Sequence, residues 1–252
     1  MNWMIFLPLG AMFSVFGLYM LFYTFTPQNM RKWKINLSFP SKEVVRNEMR
    51  FSFYSMLMFA GVGWGMNQLL SLDTHQLYQS VGEMGWMYTI LSLPLMFVLH
   101  DAWFYWSHRL LHMDILYHSV HSWHHTFDNP TPFAAYAFHP VEALMQIGIL
   151  PLMMVLFPVH ENVFIGYASF VLFMTAYGHL GFELRPRKPK IFSIFNTGVH
   201  HHQHHQYYHF NYSLYMNLWD RWMGTNHPTY PAAHEAFADE REKMNDKESI
   251  VV

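Results

Sequence analysis

His100–His125 reads HDAWFYWSHRLLHMDILYHSVHSWHH, and this stretch decides what kind of chain it belongs to. Within it, His108-x-x-x-His112 is followed by His121-x-x-His124-His125. A later stretch, His200-His201-His202-Gln203-His204-His205, answers it. On a helix, residues three and four apart share a face. His108 with His112 therefore makes one clamp, His121 with His124 and His125 a second, and His201 with His204 and His205 a third. Neutral imidazole is the commonest nitrogen ligand for zinc, copper, iron and nickel. One histidine pair on a helix is weak evidence. Three clamps supplying eight rings point to a site for more than one metal ion. Spacing alone suits zinc or copper as well as iron.

Outside this stretch the chain is apolar. It has 252 residues, of which 52% are hydrophobic, 19% aromatic and only 13% charged. A soluble domain carries about 25% charged residues, so the composition reads as a membrane protein. The net charge of −2, with Lys and Arg in short blocks, gives no footing for a nucleic-acid partner. The absence of cysteine excludes disulfides, a Cys-ligated zinc site and a Cys-ligated iron–sulfur cluster. The 20 methionines lie mostly in apolar runs, where they fill gaps.

Five apolar runs organise the chain. Residues 1–30 carry no charge and lack the basic start of a cleaved signal peptide, so they read as a retained first transmembrane helix. Runs at 51–72 and 84–105 follow, the first thinned by Gly61, Gly63 and Gly65 for close helix contact. Runs at 141–157 and 163–177 complete the set; the fourth is short and contains Pro151, so a kink or a re-entrant hairpin is expected there. The expected fold is all-α and integral to the membrane, with four to five transmembrane helices and a cytoplasmic helical cap carrying the histidines. Residues 31–231 form the main domain and residues 232–252 a charged, solvated tail. If all five runs cross with the N-terminus outside, every Lys and Arg falls in the cytoplasmic segments 31–50, 106–140 and 178–252. The active site and C-terminus are then cytoplasmic, in a bacterial inner membrane or the endoplasmic reticulum.

Box order and flanks together carry a family resemblance. The three histidine clusters, Asp101-x-x-x-Tyr105-Trp106-Ser107-His108-Arg109, Phe138-His139-Pro140-Val141-Glu142, Asn211-Tyr212 and Trp219-Asp220-Arg221-x-x-Gly224-Thr225 resemble the fatty acid hydroxylase/sterol desaturase superfamily. The likeness spans roughly His100 to Thr225; Ser213 stands where many members have Gly. The resemblance implies a non-haem centre of two iron ions with O2 as co-substrate. Its ligands would be His108, His112, His121, His124, His125, His201, His204 and His205, with His179 and His200 as further candidates. His100, Asp101, His139, Glu142 and Asp220 are candidates for orienting those rings, because ligating imidazoles usually donate their other N–H to a carboxylate or carbonyl.

The expected reaction is O2-dependent hydroxylation of a membrane lipid, with C–C desaturation of a sterol-like ring or acyl chain as the alternative. No flavin, haem or iron–sulfur motif is present, so electrons would come from a separate ferredoxin, cytochrome or reductase docking on the basic cytoplasmic face. A reading of another class is a histidine-rich metal transporter. Its ligands should lie near the bilayer midplane on broken helices, whereas these lie at or beyond helix ends.

Overall fold

The computed structural model describes residues 3–26, 28–72, 75–184 and 194–250. The chain opens with α1 (Leu7–Tyr19), extended by a π-helical turn at Met20–Thr24. The longest helix, α2 (Lys42–Leu70), starts where the Ser41 side chain accepts a hydrogen bond from the Val44 N–H. It is followed by a two-residue strand, β1 (Leu77–Tyr78), and by α3 (Trp86–Leu111). Next come α4 (Pro140–Ile147) and α5 (Ile149–Leu156), a second short strand, β2 (Val159–His160), and α6 (Glu161–Gly178). The chain closes with α7 (Gly198–Tyr207), α8 (Leu218–Met223) and α9 (Tyr230–Ile250).

The strands settle which ends lie together. β1 pairs parallel with β2, Leu77 opposite Val159 and Tyr78 opposite His160. The two connections without Lys or Arg are thus joined at one end of the molecule. α3 and α6 both run away from that end and deliver His108 and His179 at the other. His160 serves as the N-cap of α6, accepting from the Asn162 N–H, and packs its ring edge-on to Tyr78.

Two helical segments, Leu7–Thr24 and Trp86–Leu111, are long and apolar enough to cross a membrane. Their outward faces are apolar as well: Phe13 is 76% exposed and Met87 77%. Such patches are rare on soluble monomers and suit contact with lipid. α2 is longer still, but charged residues open it and Gly61, Gly63, Gly65, Asn67 and Gln68 dilute its apolar part. The inner faces form two packed clusters. Met96, Met153, Phe164 and Tyr167 centre one; Val15, Phe59, Tyr136 and Ala176 centre the other.

Several expectations change in detail. The fourth run breaks between α4 and α5 at Gly148 rather than at Pro151. Proline has no N–H and its ring clashes with the carbonyl four residues earlier, which here is Ile147. Of the three glycines thought to thin α2, Gly63 is buried, but Gly61 and Gly65 face open space. The charged tail is helical in α9, and its first half is docked: Ala238 and Arg241 are buried, and Arg241 donates to the Lys34 carbonyl at 3.3 Å. Lys34 itself is no surface charge. It is fully buried, with its ammonium 3.2 Å from Asn129 Oδ1 and over the rings of Tyr23, Phe39 and Phe182. Arg185, Arg187, Lys188 and Lys190 lie outside the described residues.

Candidate metal centre

Each histidine reaches the centre by a local device. The last turn of α3 carries His108, and His112 is its C-cap. After a helical turn at Asp114–Leu116, a π-helical turn at Tyr117–His121 leads into Ser122–His125. Such π-turns recur at functional sites because the extra residue re-aims the face that follows. Here His121, His124 and His125 turn inward and are buried, while His118 is left exposed. His179 caps the C-terminal end of α6. α7 begins at Thr197, whose hydroxyl accepts from the His200 N–H at 3.2 Å. A Cβ on Gly198 would meet the Phe182 carbonyl at 2.8 Å, so only glycine lets this helix start press so closely.

The rings gather into two nests. His108, His112, His121, His125 and His204 form the first; His124, His179, His201 and His205 form the second; within each, one nitrogen per ring lies within 4.8 Å of all the others. The three clamps therefore do not hold one ion each. The second box sends His121 and His125 to one nest and His124 to the other; the third sends His204 to the first nest and His201 with His205 to the second. Residues four apart stay together, and the residue between them faces the neighbouring nest.

Hydrogen bonds show which nitrogens are bare. His108 Nδ1 lies 2.8 Å from the Tyr212 carbonyl, His204 Nδ1 2.7 Å from that of Phe210, and His179 Nδ1 2.9 Å from that of Thr175. A carbonyl only accepts, so each Nδ1 carries the proton and each neutral ring turns an unprotonated Nε2 into its nest. His204 Nε2 and both nitrogens of His112 are buried with no hydrogen-bond partner among the described residues. The bare Nε2 atoms crowd: His108 is 3.1 Å from His121, and His179 is 2.8 Å from His201. Protonating the rings gives no relief. Burial first, then neighbouring imidazoles, hold His121, His124, His125 and His205 well below the usual histidine range. Converging lone pairs on rings that resist protons are the donor set a divalent cation requires. The residues present fit a metal in each nest.

Carboxylates stand behind the rings. Glu142 Oε1 lies 2.8 Å from His121 Nδ1, where the sequence placed a supporting acid. Asp220 acts one step further back. It accepts from the Tyr212 and Ser213 backbone N–H groups at 2.9 Å, from the Thr225 hydroxyl at 2.7 Å and from the Ser213 hydroxyl. It thus pins the strip whose Phe210 and Tyr212 carbonyls orient His204 and His108. Burial alone would raise its carboxyl, but His200 and Ser213 outweigh burial and hold it below the usual carboxylate range. Asn211, in the strip, has φ of 60°, a left-handed conformation that asparagine tolerates.

Four candidates take other positions. His200, expected as a ligand, belongs to neither nest; its Nε2 lies 3.2 Å from Asp220 Oδ2 and its ring packs on Tyr230. It is one residue before His201, so the helix turns it about 100° away. Asp101 accepts from the Tyr215 and Met216 N–H groups at 2.9 and 3.3 Å, not from an imidazole. His100 Nδ1 pairs with the Tyr167 hydroxyl at 2.6 Å. His139 is the N-cap of α4 and packs edge-on to Trp123. The carbonyls of Thr175, Phe210 and Tyr212 were invisible in sequence, since any residue supplies one.

A cavity of about 640 Å³ borders the second nest through His179 and His201. Pro94, Phe97 and Val98 of α3, Phe170 and Met174 of α6, and Leu214, Tyr215 and Met216 make most of its wall. That volume lies within the range of small-molecule sites, about 300–1,000 Å³. Asp101 acts here, because the backbone it holds is this wall.

Comparison with known proteins agrees with the geometry. Residues 93–225, more than half of the chain, match the fatty acid hydroxylase family. Lathosterol oxidase of Rattus norvegicus is 37% identical over 61% of this chain and 52% of its own length. Human lathosterol oxidase is 30% identical over 71% of this chain and 60% of its own. A probable Delta(7)-sterol 5(6)-desaturase of Neurospora crassa is 32% identical over 59% and 42%. The chain spans about half the length of the curated relatives it matches. No solved structure matches.

Proposed function

The chain belongs to the fatty acid hydroxylase/sterol desaturase superfamily, and from that premise we propose that it is a membrane-bound, O2-dependent lipid oxidoreductase using two iron ions. One observation carries the proposal: two nests of unprotonated imidazoles, one of them opening onto an apolar cavity. His108, His112, His121, His125 and His204 would hold one ion and His124, His179, His201 and His205 the other. When bound, the iron pair supplies O2 activation strong enough to break an unactivated C–H bond. The protein's own task is position and dryness. Phe97, Met174 and Leu214 exclude water and hold the lipid against His179 and His201, while Glu142 and the pinned carbonyls keep the rings aimed.

The names of the relatives favour desaturation of a sterol-type ring over hydroxylation. In that case O2, two electrons, two protons and two substrate hydrogens become two waters and a C=C bond. A separate electron donor is required. The exposed stripe Lys42, Arg46 and Arg50 on the first turns of α2 suits an acidic face on that donor. Five crossings, N-terminus outside, place this stripe and both nests on the cytoplasmic side; the pairing of β1 with β2 at the opposite end supports that arrangement. The test is lipid mass spectrometry of cells expressing the chain with a reductase. A sterol should lose two hydrogens, or gain one oxygen atom, only under O2. Unchanged lipids together with metal flux across vesicles would instead favour a transporter.

A further inference from the structure

A second apolar space, a groove of about 500 Å³, runs between α3 and the α4–α5 pair and shares no lining residue with the cavity beside the second nest. Leu99, Ala102, Trp106 and Leu110 form one wall; they are three or four residues apart and so share a face of α3. Ile149, Leu152 and Leu156 of α5 form the other wall with the same spacing. Trp103 ties the walls together, its indole N–H donating to the Met145 carbonyl at 2.9 Å. Among the described residues, no charged side chain lines the groove, and the Ser107 hydroxyl donates to the Phe104 carbonyl of its own helix. From Leu99 to Leu110 the wall runs about 16 Å, at about 1.5 Å per residue. A long space with no polar group on offer suits a hydrocarbon chain.

The end of the groove at Leu110 carries a cation. Arg109 is exposed, with its guanidinium carbon 5.8 Å from the centre of the Trp106 ring. Among the described residues no carboxylate pairs with it, and its hydrogen bond goes to the Tyr105 hydroxyl at 3.2 Å. That bond is the outer link of a rooted chain. Thr225 gives its hydroxyl proton to Asp220 at 2.7 Å, so it accepts from the Tyr105 hydroxyl 3.0 Å away, and Tyr105 accepts from Arg109. Arg109 is therefore fixed in place, and a fixed cation loses less freedom when an anion binds. It stands in the last turn of a helix long enough to cross a membrane, one turn from an exposed tryptophan. Trp and Arg gather at that depth, beside the lipid headgroups. Guanidinium meets phosphate with paired N–H donors.

We infer that the groove holds one acyl chain of a bilayer phospholipid whose phosphate sits on Arg109, as a resident lipid and not as the substrate. The inference rests on the membrane-bound reading above. A second copy packed on this face about a twofold axis would bring a second Arg109 to the same patch, where like charges repel.

The test strips the full-length protein of lipid in detergent and counts bound molecules by native mass spectrometry. The probes are phosphatidylglycerol, the diacylglycerol with the same acyl chains, and inorganic phosphate. One phosphatidylglycerol per chain should bind, about tenfold or more tighter than the diacylglycerol, which lacks the charged hydrogen-bond partner. It should also raise Tm, because a ligand of the folded state stabilises that state. Inorganic phosphate alone should do neither. Arg109→Gln should remove the preference for the phosphate-bearing lipid, and Leu152→Trp, which fills the groove, should weaken both lipids. The wild-type comparison needs no variant, so misfolding of either one leaves the inference testable. Equal binding of the two lipids by the wild type, several equivalent phospholipids per chain, or a preference kept by folded Arg109→Gln overturns the inference. Binding of inorganic phosphate as tight as that of the lipid overturns it too. So does a lipid-free dimer that takes up no phospholipid, since a second copy then covers the groove. A chain that stays monodisperse without detergent overturns the membrane reading itself.

Discussion

The two nests are built from the same residue type but held differently. In the five-ring nest, three rings are anchored through Nδ1: His108 and His204 to backbone carbonyls and His121 to Glu142. In the four-ring nest, His179 Nδ1 is anchored to the Thr175 carbonyl and His124 has a backbone hydrogen-bond partner in Ala137, and two of the rings, His179 and His201, face the cavity. The nest with a carboxylate brace is the one turned away from the cavity. The nest beside the cavity has backbone anchors but no carboxylate brace among the described residues. The difference teaches that carboxylate support and access are divided between the two positions: one nest is braced by Glu142, and the other borders the open cavity.

Removing a ligand from either side tests the division most severely. His125→Ala and His205→Ala should each abolish oxidation and reduce bound metal to about one ion per chain, read by metal analysis. Loss of both ions from both variants would show a single shared site rather than two nests. A smaller effect is expected from the brace. Glu142→Ala should weaken metal at the five-ring nest by about tenfold to a hundredfold, as for other hydrogen-bonded supports of ligand imidazoles. Metal titration should show this loss confined to one of two sites, because no carboxylate braces the other nest among the described residues.

Asp220 reaches the same nest through backbone. Asp220→Ala should destabilise the protein by about 1–3 kcal/mol, since two N–H groups of the strip lose their acceptor, and a thermal melt reads the change. His200→Gln should keep both ions, because His200 lies outside the nests. Loss of an ion from that variant would return His200 to the ligand set.

The mildest perturbation is pH. With metal removed, the nest histidines resist protonation in the fold, whereas the unfolded chain takes protons near 6.5. The unfolded state therefore binds more protons below that value, and stability falls as pH falls. Melts of the metal-free protein should be flat above about pH 7 and decline from about pH 6 downward. An unchanged melt down to pH 5 would mean the rings are not buried together.

Much of this was legible in the sequence because it is periodic. His108/His112, His121/His125 and His201/His205 are four apart, and helix geometry alone keeps each pair together. His179 was reached by counting the ligands two ions need. The errors share a cause too. His200 sits beside a ligand in sequence, but one residue of helix turns it to Asp220. Asp101 and Asp220 were singled out as supports for ligand imidazoles, yet Asp101 accepts from a backbone N–H 114 residues away, and Asp220 from the N–H groups of the same strip as well as lying beside His200, which no local pattern shows. The β1–β2 pairing was missed because two-residue strands carry no periodicity.

Counting iron in protein purified without oxygen tests the central claim most directly. Two irons per chain, falling to about one in His125→Ala and in His205→Ala, is the result that the proposed pair of nests predicts. One iron or none in the wild type, or full retention in both variants, would contradict a paired centre in this fold.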